Sequence, residues 1–226
     1  MTQSAFVHPV EAVSVADRVT SEIRRAILSG RLQPGQEFSL RQIAGQLGVS
    51  FIPVREALRS LEAEGLLVTR RGRSATVPPL DPAELHSICK LRRRIEPELA
   101  ALSCPMLSDA ELDALEARLT LCSEPTERPD EAFDECHAIY FELLRPAATS
   151  WDVRVLQMLC RALERYIRNG FASDDRAVGV PVDCLAVQRD LIAAYRARDP
   201  ERARQVADHF VTLGERLADE SIAAVN

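Results

Sequence analysis

No apolar run in this chain approaches the ~18 residues that a bilayer-spanning helix requires, which excludes a helical membrane protein. The start, MTQSAFVHPVEAVSV, lacks the basic and long apolar regions of a secretory signal, so the expected location is the cytoplasm. None of the six cysteines (Cys89, Cys104, Cys122, Cys136, Cys160 and Cys184) belongs to a Cys-x-x-Cys pair, which excludes a zinc ribbon and a tight disulfide framework. Scattered through helical patterns, they are expected to be buried, reduced thiols. Lysine is almost missing, Lys90 being the only one, and no internal repeat is visible. No nucleophile stands at a signature spacing from a base, so an enzyme is the weaker class of reading.

What is present is an ordinary globular composition, 226 residues with 46% hydrophobic and 27% charged, enough for two small domains. The net charge of −6 is unevenly spread. Residues 1–78 hold ten arginines against seven acids, a balance of +3, and residues 79–226 hold eighteen basic against twenty-seven acidic side chains, a balance of −9. A basic head on an acidic body predicts that only the head meets a polyanion.

The texture changes at Pro78-Pro79, which disfavours helix before it. The expected domains are therefore 1–78 and 79–226, in a mostly α fold. In the head, Val15–Ser29 carries a 3.6-period apolar stripe and Gly30 stops it. Ser39-Leu40-Arg41-Gln42 reads as a capping box opening a helix to Leu47, with Gly48 closing it. Ser50 is expected to cap a further helix to about Glu64, with Pro53 in its first turn, where a missing N–H costs little. Two β-prone runs, 66–70 and 74–77, flank the turn Arg71-Gly72 and read as a hairpin. The sum is a winged helix-turn-helix. In the body, six helices are expected, over 81–104, 108–123, 129–145, 150–171, 182–198 and 199–222, packed as an all-helical bundle.

A helix-turn-helix lays its second helix in the major groove of double-stranded DNA. Ser50, Phe51, Ile52 and Arg55 would lie nearest the base edges. Arg55 offers a fork to guanine or a hold on phosphate, Arg41 reaches the backbone or an adjacent base, and Arg71-Gly72 would enter the minor groove. A winged helix that makes only protein contacts is the alternative.

These residues carry a resemblance. The run Leu47-Gly-Val-Ser-Phe-Ile-Pro-Val-Arg-Glu-Ala-Leu58, continuing to Gly65-Leu-Leu67, resembles the DNA-binding signature of the GntR family of bacterial transcriptional regulators, and Ile27-Leu-Ser-Gly-Arg-Leu-Gln-Pro-Gly35 resembles its opening. The resemblance spans about residues 10–78. It implies operator binding as a homodimer, with Arg41, Ser50, Arg55, Arg71 and Gly72 where family members touch DNA. One position departs: the residue after the serine is often Arg in the family and is Phe51 here. Phe51 would meet a thymine methyl or simply pack.

The body has polar groups in its apolar stripes. Arg92 lies among Leu85, Ile88, Ile95 and Leu99. His137 lies among Phe133, Cys136, Tyr140, Phe141 and Leu144, with Asp134 one turn before it. Gln188 lies among Leu185, Ile192 and Tyr195, and His209 among Val206, Phe210, Leu213 and Leu217. Each alone reads as a satisfied core residue. Together they point to a central polar cavity, because an unpaired buried polar group costs roughly 1–3 kcal/mol. Two histidines and an aspartate can hold a divalent metal, and Arg92 can fork onto a carboxylate.

This body resembles the effector domain of the FadR-type branch, the FCD domain, in its smaller VanR-like, six-helix version. The resemblance implies a divalent metal (zinc, nickel or manganese) on Asp134, His137 and His209, with Gln188 where the family usually has a third His, and a small carboxylate metabolite beside it. It also implies an effector pocket of Arg92, Asp134, His137, Tyr140, Gln188, Tyr195 and His209. Asp134 precedes His137 by three residues where the family spacing is usually four, and without a metal the same groups would bind an organic anion directly. The expected function is a ligand-responsive, dimeric transcriptional regulator, a repressor. The rivals are an architectural DNA-binding protein without effector and a metal-dependent hydrolase or decarboxylase built on Asp134, His137 and His209.

Overall fold

The computed structural model describes residues 14–70, 74–124, 129–171 and 180–225. The chain divides into two compact units, residues 1–79 and 80–226.

The head begins with α1 (Val15–Leu28), whose cap Ser14 and third residue Asp17 satisfy each other's backbone amides. A short strand, β1 (Glu37–Ser39), leads into α2 (Leu40–Leu47). The expected capping box is present: Ser39 Oγ accepts from the Gln42 amide at 3.2 Å, and Gln42 accepts from the Ser39 amide at 2.7 Å. Gly48 then takes a left-handed φ of 64°, which turns the chain into α3 (Phe51–Ala63) at little strain. The wing follows as β2 (Val68–Arg70) and β3 (Ser74–Thr76). The sheet order is β1-β3-β2, antiparallel, with both Phe38 and Thr69 opposite Ala75. The strand β1 is absent from the sequence reading: three residues are too few to show a period of two. Ile27, Val54, Ala57, Leu61, Leu66 and Ala75 are wholly buried and join α1, α3 and the wing into one core.

The body is α4 (Pro82–Ser103), α5 (Asp109–Leu121), α6 (Pro129–Leu144), α7 (Ser150–Phe171), α8 (Val182–Arg196) and α9 (Pro200–Val225), with a 3-10 turn at Arg145–Ala147. The expected helix 182–198 ends two residues early. Arg198 adopts φ 52°, and its side chain holds the turn by donating to the Leu107 carbonyl and, at 2.8 Å, to Asp109. α9 packs on α4, α7 and α8. One apolar cluster joins the end of α4, α5, α6, α8 and the first half of α9, and a second joins the start of α4, α7 and Val211, Ala218 and Ile222 of α9. No described cysteine is disulfide-bonded, and five of the six are buried. No helix is long and apolar enough to cross a membrane among the described residues.

Candidate nucleic-acid interface and bundle interior

α3 buries Val54, Ala57, Leu58 and Leu61 and turns the opposite face to solvent. That outer face carries Phe51, Arg55, Arg59 and Glu62 at helical spacing, with Ile52 beside them. Among the described residues Arg55 and Arg59 make no ion pair, and Arg41 on α2 is likewise exposed and unpaired. Most arginines of the body are instead committed: Arg118 holds Glu135 and Glu142, Arg196 holds Asp113 and Glu116, and Arg216 holds Asp183. In the head, Arg24, Arg25 and Arg31 are paired as well, so the unpaired cations are those of the α2–α3 face.

Ser50 stands at the N-cap of α3 in extended conformation, but its hydroxyl makes no capping bond, contrary to expectation. The cause is Pro53. A capping serine accepts from the third helical amide, as Ser14, Ser39 and Ser108 do, and here that residue is proline and has no N–H. The Ser50 hydroxyl is thereby left exposed and uncommitted at the head of α3.

The wing is tied to α3 through Glu62, which accepts from the Thr69 amide at 2.8 Å and from its hydroxyl at 2.7 Å. These two donors, the amide foremost, hold the Glu62 carboxyl below its ordinary value. Glu64 at the end of α3 pairs with Arg24 of α1. A shallow cleft between α3 and the wing is lined by Arg55, Arg59, Glu62, Thr69 and Ser74. Arg59 and Glu62 were not singled out in the sequence; their four- and seven-residue spacing from Arg55 was the available signal. Arg71 and Gly72 lie outside the described residues.

In the bundle, four of the expected residues are interior. Arg92, Tyr140, Gln188 and Tyr195 are all under 3% exposed. Arg92 forks onto a residue the sequence reading passed over, Glu96, one turn along α4: Nε to Oε1 is 2.6 Å and Nη2 to Oε2 is 3.1 Å. The Tyr140 hydroxyl donates to the same carboxylate at 2.8 Å, and its ring stacks on Phe210 with centroids 4.1 Å apart. Burial, with the Glu96 carboxylate beside it, holds the Tyr140 phenol well above its ordinary value, so it remains a donor. The Tyr195 hydroxyl lies 2.6 Å from Ser103 Oγ and donates to the Leu143 carbonyl at 3.1 Å. Gln188 donates through Nε2 to the Cys136 carbonyl at 3.0 Å and touches its sulfur at 2.8 Å. Its Oε1 is buried with no hydrogen-bond partner among the described residues.

The other three expected residues stand elsewhere. His209 is exposed and lines an outer groove between α8 and α9 with Asp183, Asp190, Thr212 and Arg216. The large apolar residues alone misplace the inward face of α9. Ala203, Ala207, Val211, Ala218 and Ile222 are buried too, and they swing the centre of the buried arc away from His209. Asp134 is exposed because the buried arc of α6 runs through Phe133, Cys136, Ile139, Tyr140, Leu143 and Leu144, and it falls on the far side of that arc. His137 sits half-buried at the edge of that arc, edge-on to Phe133 at 4.5 Å. Among the described residues no three His, Cys, Asp or Glu side chains form a group able to hold a metal ion. The donor set implied by the resemblance therefore does not fit a metal in this arrangement.

Comparison with known proteins covers both units. Residues 15–77 match the model of the bacterial regulatory proteins, gntR family, and residues 87–212 match the FCD domain. The HTH-type transcriptional regulator McbR of Escherichia coli is 30% identical over 118 residues, 52% of this chain and 53% of McbR, so that match spans about half of the relative. The uncharacterized HTH-type transcriptional regulator Rv0043c of Mycobacterium tuberculosis is 30% identical over 85% of this chain and 76% of its own length. The HTH-type transcriptional repressor RspR of Escherichia coli is 26% identical over 95% of this chain and 93% of its own. The solved structure of Escherichia coli McbR/YncC superposes with a TM-score of 0.73 at 21% identity, covering 95% of this chain and 100% of that one, which shows a shared fold.

Proposed function

The chain belongs to the gntR family of bacterial regulatory proteins and carries an FCD domain, a DNA-binding transcriptional regulator by descent, and from that premise we propose an operator-binding homodimer whose bundle senses a small organic acid. The observation that carries the DNA half is the free outer face of α3: Ser50, Arg55 and Arg59 are exposed and uncommitted, with Arg41 near the cap of α2. Arg55 and Arg59 are one turn apart, so one can fork onto a guanine edge while the other holds a phosphate.

The observation that supports the sensing half is Gln188. Its buried Oε1 lacks a donor, a deficit that costs roughly 1–3 kcal/mol until something fills it. An organic acid with a hydroxyl or amino group supplies that donor. Its carboxylate is attracted by Arg92, whose fork Glu96 already occupies in part. Binding would then exchange partners inside the network, and a ligand shifts the regulator only by its difference in affinity for two states. No step runs through a metal, since the implied donors do not come together among the described residues. Release from DNA on ligand binding, hence repression, is the reading favoured by the likeness to RspR, named as a repressor.

The test is a thermal-shift screen of small hydroxy and amino acids on the full chain, followed by DNA titration with each hit. A hit that raises the melting temperature and changes DNA affinity, both lost in Gln188→Leu, supports the proposal. A bundle that binds none of them while DNA binding persists favours an architectural role.

A further inference from the structure

Two large apolar residues sit uncovered at the start of α3: Phe51 is 50% exposed and Ile52 is 69% exposed. Neither packs into the head's core, which ends one turn later at Val54. Single exposed hydrophobes need no explanation, but here two neighbours occupy the first turn of the helix with free arginines one and two turns behind. The surroundings name the occupant. Among the described residues Arg41, Arg55 and Arg59 are unpaired cations, no acidic residue lies in the first turn, and the Ser50 hydroxyl is uncommitted, while Ile52 borders a groove with Val15, Val49, Pro53 and, one turn behind it, Glu56. An apolar tip that adjoins a cationic, donor-rich face through Phe51 suits a ligand that is polyanionic outside and apolar at one point. The major groove supplies such points at one place, the C5-methyl of a pyrimidine.

Resting on the DNA-binding reading above, we propose that Phe51 and Ile52 read thymine methyl groups in each operator half-site, so that base choice at that step rests on apolar contact, with no hydrogen bond from these side chains. Phe and Ile have no donor for a guanine edge, and burying a methyl against them is worth about a three- to fivefold gain in affinity per contact. Two half-sites double that effect on the logarithmic scale, to about tenfold or more.

The test uses the full chain and a pool of random 30-bp duplexes. Sequences enriched by binding are remade with each thymine in turn replaced by deoxyuridine, which removes the methyl and leaves the pairing intact. Wild type should lose about three- to fivefold in affinity at one thymine per half-site. Phe51→Ala or Ile52→Ala should bind more weakly and lose that sensitivity, with an unchanged melting temperature. At the same position, 5-methylcytosine should bind better than cytosine by a similar factor, which shows that the methyl group is read. Enriched sites indifferent to deoxyuridine, or equal sensitivity in both variants, overturn the proposal and leave the regulator standing. Variants that unfold while methyl removal has no effect show that the pair packs against its own chain, and also overturn it. A pool with no enrichment at all overturns both the proposal and the DNA-binding reading.

Discussion

Glu62 on α3 accepts both the amide and the hydroxyl of Thr69 on the first strand of the wing. Among the described residues β2 is an edge strand, bonded to β3 alone, so this carboxylate fixes its other side against α3. The wing and the helix are thereby held in one register, and an interface that uses both depends on it.

Glu62→Ala is expected to weaken DNA binding several-fold without touching DNA, and to lower the head's melting temperature by a few degrees. The effect has a pH signature. The carboxyl is held below its ordinary value in the folded state, so its contribution is complete above the unfolded glutamate range, near pH 4.3, and fades as the pH falls through the lowered value. Melting temperature against pH should drop more steeply below pH 4 in wild type than in Glu62→Gln. Parallel curves would show that the contact carries nothing.

The helices of the head were legible in the sequence because each announces itself locally: a cap, a stripe, a stop. The Ser39–Gln42 box and the Gly48 stop are both found in the structure. What escaped depended on facts of another kind. Ser50 fails to cap because of what Pro53 lacks, and β1 is too short to have a pattern. In the bundle, hydrophobicity identified Arg92, Gln188, Tyr140 and Tyr195 as interior, yet misplaced His209 and Asp134. Alanines decide the buried arc of α9, and a stripe drawn through its large residues alone is rotated from the true one. Glu96 was invisible because an acidic residue four positions from an arginine is the ordinary pattern of a solvated face.

Arg55→Ala should cost roughly 1–3 kcal/mol of affinity for the enriched duplex and relax base choice at one position. Arg59→Ala should instead weaken binding to all duplexes and reduce the salt slope by about one, if its partner is a phosphate. Titrations at several salt concentrations separate the two. The same loss of base choice in both variants would contradict this division of roles.

Arg92, Glu96 and Tyr140 form a satisfied buried unit, and removing one member strands the others. Arg92→Met should destabilise the bundle by roughly 3–5 kcal/mol, because it leaves the Glu96 carboxylate buried and uncompensated. The triple variant Arg92→Met, Glu96→Leu, Tyr140→Phe should recover most of that loss, since an apolar replacement of a whole network is often neutral. Denaturant melts of the two variants test this; a triple variant as unstable as the single one would mean that the network carries packing the new side chains cannot supply.

Burial pushes the Cys136 and Cys160 thiols up to about 12. An unfolded thiol ionises near pH 8.5, so folding stability from these groups is complete below that value and declines as the pH rises above it. At pH 8 a disulfide reagent should leave both sulfurs untouched in the native chain and label them on unfolding. Rapid native labelling of Cys136 would mean that α6 and α8 open around Gln188 far more readily than their packing indicates.

Two serines at helix starts provide the sharpest contrast. Ser39 caps α2 through the Gln42 amide, so Ser39→Ala should cost about 1 kcal/mol of stability. Ser50 occupies the same position on α3 and makes no such bond, because Pro53 offers no amide, so Ser50→Ala should leave stability within about 0.5 kcal/mol of wild type. DNA binding should reverse the order. The Ser50 hydroxyl is exposed and uncommitted at the start of the helix proposed to enter the groove, and its loss should weaken the complex. Ser39 has its oxygen occupied, and Ser39→Ala should alter affinity only through the stability of the head. Restoring an amide by Pro53→Ala should let Ser50 turn inward to cap α3, raising stability and lowering affinity together. Measuring both quantities on the three variants decides the matter: a Ser50→Ala protein that melts early and binds normally would show that this serine is a structural cap after all.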